Sequence, residues 1–294
     1  MNRYTFLLLL FLLSACNGPE LMRVPEIMEM PTAPADVRVA YGPADTVQFG
    51  DLRLPGGDGP HPVVLIIHGG CWLSAYGLDL MDAMATEFRE QGYATWNIEY
   101  RRVGEPGGGW PHTFLDVAAA ADHLRTLAPD YPLDLERVVA IGHSAGGHLA
   151  LWLGMRDQLP DNSDLYTPDP LPLKGIVSLA GITDPASYLV REDGSCGSSV
   201  DELLGGLPEE HPLRYAQASP LRHVPLGTPQ ILISGAEDPI VPLAHVERYY
   251  EAARQAGDEV ELVSVKKAGH FEVIAPGSIA WESVEEAVER LLSR

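Results

Sequence analysis

Apolar runs alternate with amphipathic stretches along most of this chain. Val63-Val64-Leu65-Ile66-Ile67 is apolar without interruption, and runs dominated by apolar residues recur at 93–99, 137–141, 175–180, 230–234 and 260–265. A strand covered on both faces has no polar side to show, so short runs of this kind predict parallel strands inside a sheet. Between them, the 3.6-residue period predicts helices over 78–91, 114–127, 244–256 and 279–292, with a further helix starting near Gly147. Residues 37–41 and 46–49 alternate in the manner of edge strands of a hairpin. The expectation is an α/β fold, a mostly parallel central sheet with helices on both faces.

The alternation fails between residues 183 and 225. That segment is rich in Gly, Pro and polar residues, with only a short helical piece expected near 199–204. It is too long for a plain connection and reads as a lid or pocket wall. At the start of the chain, Met1-Asn2-Arg3 precedes an apolar stretch over 6–13 that is too short for a permanent membrane helix and reads as a signal peptide. Residues 18–35 carry Pro19, Pro25, Pro31 and Pro34 without a sustained apolar period, as a tether would. The organisation expected is a leader over 1–15, a tether over 16–35 and one large domain over 36–294.

Composition narrows the classes of partner. With 20 Lys and Arg against 41 Asp and Glu, the formal net charge is −21. Phosphate contacts need clustered cations, so nucleic acid and anionic membrane surfaces are excluded as ligands. The acidity serves solubility instead. Three cysteines, Cys16, Cys71 and Cys196, supply neither a disulfide framework nor a zinc cluster. An exported chain can pair Cys71 with Cys196, but sequence separation leaves their distance open.

The candidate chemistry centres on Gly142-His143-Ser144-Ala145-Gly146-Gly147, which directly follows the 137–141 run. This is the G-x-S-x-G pattern of a nucleophile elbow, a sharp strand-to-helix turn that presents a serine hydroxyl at a helix N-terminus. The pattern alone also suits a serine that merely caps a helix. Two further segments favour chemistry. His68-Gly69-Gly70-Cys71-Trp72 ends the 63–67 strand, and its successive glycines let backbone N–H groups face a cleft. Gly69, Gly70 and Cys71, with Ala145 after the serine, are the candidate donors to a developing oxyanion.

A nucleophilic serine needs a base, and the base needs an orienting carboxylate. Asp238 follows the 230–234 strand and His270 follows the 260–265 strand, in the chain order serine, acid, histidine. All three would stand at carboxyl ends of strands, where open α/β sheets place their sites. Asp238 has an alternative use as a helix cap after its Asp-Pro step. Asp184, beyond the 175–180 strand, is the rival acid, and Glu237 is expected to point elsewhere. Among the other histidines, His68 and His143 belong to turns, His148 packs or caps, and His112, His211, His223 and His245 are expected in solvent.

These segments, with Tyr100-Arg101-Arg102, Gly235-Ala236-Glu237-Asp238 and Gly269-His270, resemble the α/β-hydrolase esterases. Within them the resemblance is to the kynurenine formamidase and carboxylesterase-like group, and it runs from about residue 62 to the C-terminus. It implies an α/β-hydrolase fold with a lid insertion. It further implies Ser144 as nucleophile, Asp238 as acid, His270 as base, oxyanion donors from residues 69–71 and Ala145, and no metal or organic cofactor. The expected activity is cleavage of small esters through an acyl-enzyme on Ser144. An arylformamidase acting on amides of the N-formylkynurenine type is the alternative. A prolyl oligopeptidase-type peptidase and a non-catalytic surface binding protein are weaker readings, since a binder has no need of all three residues together. Where hormone-sensitive-lipase relatives carry a third glycine, this chain has Cys71. Finally, Leu13-Ser14-Ala15-Cys16 resembles the lipobox of bacterial lipoproteins. That implies a lipid anchor on Cys16 and a cell-envelope location, with Asn17 favouring the outer membrane.

Overall fold

A computed structural model describes residues 20–44, 46–189 and 196–293. Its strands are β1 (Val37–Ala40), β2 (Phe49–Arg53), β3 (His61–Ile67), β4 (Ala94–Ile98), β5 (Leu133–His143), β6 (Gly175–Leu179), β7 (Gln230–Gly235) and β8 (Val260–Val265). They form one sheet in the order β1-β2-β4-β3-β5-β6-β7-β8. The pairs β1–β2 and β2–β4 are antiparallel, and every pair from β4 onward is parallel. The helices are α1 (Val24–Met28), α2 (Asp82–Glu90), α3 (His112–Asp122), α4 (Leu124–Leu127), α5 (Ala145–Leu153), α6 (Pro185–Tyr188), α7 (Gly197–Leu204), α8 (Pro212–Ala218), α9 (Leu243–Ala256) and α10 (Trp281–Leu292).

The uninterrupted apolar strands divide their side chains between two cores. Val63, Leu65 and Ile67 of β3 join one cluster with residues of α3, α5 and α9. Val64 and Ile66 join the other with residues of α2 and α10. This is why β3 carries no polar position from Val63 to Ile67: alternate residues point to opposite faces, and both faces are covered. Because β4 and β5 lie on opposite sides of β3, the chain reverses its winding there. The crevice at the carboxyl end of β3 is therefore a topological switch point.

Three expectations are corrected. The second edge strand lies at Phe49–Arg53 rather than 46–49, because its charged residues are buried with partners. Asp51 accepts two hydrogen bonds from Arg38, and Arg53 donates to Asp82 and to the Ala33 carbonyl. The 183–225 segment holds more helix than expected, namely α6, α7, α8 and a 3₁₀ turn at Pro220–His223. Prolines open three of these elements. Pro suits a first helical turn, whose N–H groups have no intrahelical partner, and such short helices show little periodicity. His245 is buried in α9 rather than solvated, and it accepts a hydrogen bond from the Thr183 N–H at 3.0 Å.

Part of the segment read as a tether is packed. Ile27 of α1 is buried in the α2–α10 core, and the Met22 N–H donates to Glu272 at 2.7 Å. Residues 1–19, which include Cys16, lie outside the described residues.

The elbow depends on close backbone approach. A Cβ on Gly146 would run into the carbonyls of Ile67 and His68, and one on Gly142 into the Gly146 carbonyl. Backbone on both sides leaves nowhere for a methyl group to go. Gly146→Ala is expected to lower stability by about 3 kcal/mol, at the upper end of overpacking costs. Urea unfolding of the purified variant checks this.

Candidate active site

Ser144 follows β5 and is the N-cap of α5, with φ 56° and ψ −115°. Left-handed backbone at a non-glycine residue costs about 1–3 kcal/mol and persists only when its surroundings over-determine it. Here the Ser144 N–H donates to Leu179 at 2.8 Å, and its carbonyl accepts from His148 at 3.0 Å and Ile182 at 3.3 Å. The neighbouring strand and the helix thus hold the turn from both sides. The side chain stands at the floor of a cleft that it shares with Gly70, Cys71, Tyr76, Leu80, His143, Cys196, Ile240, His270 and Phe271.

Asp238 and His270 meet as their positions after β7 and β8 require. His270 Nδ1 lies 2.7 Å from Asp238 Oδ2. The other carboxylate oxygen accepts the N–H groups of Ile240 at 2.7 Å and Val241 at 2.9 Å. Asp238 therefore holds the following turn and the His270 ring at once, but it does not cap α9, whose N-cap is Pro242. A carboxylate only accepts, which places the imidazole proton on Nδ1 and leaves Nε2 with its lone pair free to face the cleft. Glu237 is exposed. Asp184 is spoken for elsewhere: it accepts from Ser187 as the N-cap of α6 and from Ser219 Oγ at 2.8 Å.

His143 has a definite task. Its Nε2–H donates to the His270 carbonyl at 2.9 Å, and the two rings lie 4.5 Å apart. Burial, then the neighbouring His270 ring, hold its pKa well below the ordinary 6.5. A neutral ring at this point adds no competing charge beside His270. His148 packs edge-on against Trp72 and Phe114 and donates to the Ala218 carbonyl at 2.7 Å.

The 68–72 loop is held by the side chain of His68. His68 lies between two acceptors, Glu99 at 2.8 Å and the Gly69 carbonyl at 2.7 Å, and stacks on Tyr100. Fixing the Gly69 carbonyl fixes its peptide plane, and in a trans peptide the Gly70 N–H points the opposite way. The N–H groups of Gly70 and Cys71 make no hydrogen bond among the described residues. Ala145 opens α5, where N–H groups lack an intrahelical partner. Gly69 does not line the cleft, because it packs on the elbow, where a Cβ would meet the His143 carbonyl at 2.7 Å. Cys71 and Cys196 are joined by a disulfide, with Cα atoms 5.1 Å apart.

Two carboxylates went unnoticed in the sequence. Glu99 supports the loop just described and also pairs with Arg102 at 3.2 Å. Glu272 accepts from Gly269 at 2.8 Å and from Met22 at 2.7 Å, tying the N-terminal segment to the loop that carries His270. The available signal was the same for both, a single carboxylate closing or following an otherwise apolar strand-end segment.

A comparison with protein families matches residues 51–252 to BD-FAE, more than half of the chain. The chain belongs to the BD-FAE family. Among curated relatives of this BD-FAE protein is "Esterase LipC" of Mycobacterium tuberculosis, 26% identical over 248 residues, covering 79% of this chain and 59% of LipC. The chain thus spans a little over half the length of that relative. Among solved structures, a truncated carbohydrate esterase from gut microbiota superposes with a TM-score of 0.76 at 20% identity, covering 95% of this chain and 100% of that one. An esterase of the planctomycete Thermogutta terrifontis gives a TM-score of 0.70 at 22% identity, covering 90% and 92%. Together with the strand order, these likenesses make the fold an α/β-hydrolase fold.

Burial and charge make the BD-FAE fold acid-sensitive in a defined window. Burial pushes His148 down to about 4 from 6.5, against the upward pull of Ala218 and Asp184. The unfolded chain takes up that proton first, so this stability is full above pH 6.5 and is lost as pH falls toward 4. Glu99 adds to the loss. Burial raises its pKa, but His68 and Arg102 outweigh burial and hold it below 4.5. Its contribution is therefore present above pH 4.5 and lost as pH falls through the lower folded value. The urea midpoint is expected to fall from about pH 6.5 downward, and Glu99→Gln to flatten only the part below about pH 4.5. Equilibrium unfolding across that range measures both.

Proposed function

We propose that this protein is a serine carboxylesterase that cleaves small esters through an acyl-enzyme on Ser144. The observation that carries this reading is the Asp238–His270 hydrogen bond at the cleft that also holds Ser144 and the N–H groups of Gly70 and Cys71, which have no partner among the described residues. Its relatives include proteins named esterase and carboxylic ester hydrolase.

In this mechanism His270 Nε2 removes the Ser144 proton as Oγ attacks the ester carbonyl. Asp238 stabilises the imidazolium that forms. The carbonyl oxygen, now negative, is met by N–H groups of Gly70 or Cys71 and of Ala145, which are already oriented and need no rearrangement. His270 then gives its proton to the leaving alcohol. Water, deprotonated by His270, attacks the acyl-enzyme and frees the acid and Ser144.

The cleft is small, with a volume of about 60 Å³. Room of that size favours acetyl or propionyl over long acyl chains. None of its described lining residues is Lys or Arg. An N-formylkynurenine-type substrate carries an amino-acid carboxylate, which finds no cationic partner among the described lining residues, and this supports the ester reading over the arylformamidase one.

Ser144→Ala is expected to abolish hydrolysis of p-nitrophenyl acetate and fluorophosphonate labelling with the fold intact by circular dichroism. Labelling that survives the substitution removes Ser144 from its role. Asp238→Asn is expected to lower kcat by about 10⁴-fold, the cost of losing the orienting carboxylate, whereas Asp184→Asn weakens only the α6 cap and the contact with Ser219. A large rate loss in Asp184→Asn alone would transfer the acid role to it. Turnover of N-formylkynurenine with no ester hydrolysis would reverse the substrate order.

We also propose that Cys16 carries a lipid anchor holding the protein in the cell envelope, with the outer membrane favoured. The support is the Leu13-Ser14-Ala15-Cys16 sequence behind a short apolar leader. Several acyl chains suffice for stable anchoring without a membrane-spanning helix. Cys16→Ser is expected to release the protein from the membrane fraction, and continued membrane association would contradict the anchor.

A further inference from the structure

The 70–72 loop has an unusual backbone. Gly70, Cys71 and Trp72 are left-handed in succession, with φ of 103°, 56° and 57°. Only glycine takes such angles freely. Two side chains with a Cβ are therefore held where an unrestrained loop would not keep them.

The restraints on either side are visible. The Gly69 carbonyl is held by His68, and the Gly70 carbonyl accepts from Leu73 at 2.9 Å. The Trp72 carbonyl accepts from Val103 at 2.8 Å, and the Trp72 ring is fully buried. Cys71 differs from these neighbours. Among the described residues neither its N–H nor its carbonyl makes a hydrogen bond. Its one fixed attachment is the disulfide to Cys196.

Cys196 is a firm post. It is 4% exposed and is the N-cap of α7, and its carbonyl accepts from Ser199 at 3.0 Å. Val200, Leu203 and Leu204 of that helix are buried in the main core, and the Leu203 carbonyl accepts from Trp110 at 2.7 Å. Both cysteines line the cleft with Ser144 and His270.

We propose that the Cys71–Cys196 disulfide positions the oxyanion loop, holding residue 71 left-handed so that the Gly70 and Cys71 N–H groups face the reacting carbonyl. Cys71 and Cys196 are positioning residues, since the disulfide acts through the backbone of the loop. This rests on the serine-hydrolase reading above and adds to it a dependence of the chemical step on oxidation state. Reduction by dithiothreitol transfers two electrons and two protons: the S–S bond becomes two thiols, and dithiothreitol leaves as its cyclic disulfide. The loop then loses its attachment to α7 while Ser144, Asp238 and His270 keep theirs.

A link between residues 125 positions apart stabilises the fold whatever else it does. The test must therefore separate rate from stability. The full-length protein is assayed on p-nitrophenyl acetate as oxidised wild type, as dithiothreitol-reduced wild type, and as Cys196→Ser, each far below its own melting temperature with circular dichroism confirming the fold. The expected result is a fall in kcat of about 100-fold, the lower range for loss of one oxyanion donor, with KM little changed and activity restored when reduced wild type is reoxidised. The double variant Cys71→Gly, Cys196→Ser is expected to recover much of kcat, because glycine takes the left-handed conformation without the disulfide. A pure staple predicts no such rescue. Unchanged kcat in the folded, reduced protein, or a loss that tracks only the unfolded fraction and is not rescued by glycine, overturns the inference. An inactive oxidised wild type instead overturns the serine-hydrolase reading on which it stands.

Discussion

The site depends on one backbone contact, the approach of the elbow to the end of β3. Gly146 lies so close to the carbonyls of Ile67 and His68 that no side chain fits between them. That approach sets Ser144 beside the loop of residues 69–71, and the whole arrangement follows from it. β3 and β5 are hydrogen-bonded neighbours along Val63–Ile67 and Val138–Gly142, so their carboxyl ends emerge side by side. The sheet, by pairing these two strands, brings together a hydroxyl and a set of backbone donors that are about 70 residues apart in the chain.

Around that contact, each group of the proposed site has its own support. His270 is held through its ring by Asp238, through its carbonyl by His143, and through its loop by Glu272. The glycine loop is held by His68, which in turn leans on Glu99 and Tyr100. Redundant support of this kind fixes geometry before a substrate arrives, which is the condition under which oriented dipoles stabilise developing charge without reorganising. His143 illustrates the economy of the arrangement. It sits inside the elbow motif, yet its side chain serves the histidine loop 127 residues further on.

Much of this was legible in the sequence because the features are local. Uninterrupted apolar runs marked the inner strands, and the serine, acid and histidine each sat one turn beyond such a run. Legibility ended where one residue's environment is supplied by a distant part of the chain. β2 was misplaced because Asp51 and Arg53 look like loop residues until Arg38 and Asp82 are brought beside them. His245 looked solvated until Thr183 was packed against it. Residues 20–35 read as spacer because a single buried side chain, Ile27, and two backbone bonds to Glu272 and Thr86 leave no periodic trace. Pairing of Cys71 with Cys196 stayed open in the sequence, since it depends on a Cα distance.

Backbone strain and site coincide here. Of the six non-glycine residues with positive φ among those described, Cys71, Trp72 and Ser144 belong to the cleft or its immediate wall, Ala180 is buried just after β6, next to the Leu179 that accepts the Ser144 N–H, and Asp169 and Lys267 lie in surface turns. A conformation that costs about 1–3 kcal/mol survives only against an opposing restraint, and each of the three has a different one. Ser144 is held by hydrogen bonds to β6 and α5, Trp72 by complete burial, and Cys71 by a covalent bond. The first two restraints are parts of the folded core and yield only when the domain unfolds. The third can be broken by electron transfer while the core stands. A sulfur–sulfur bond at that one position therefore makes the donor loop the element of this site whose geometry can change without loss of the fold.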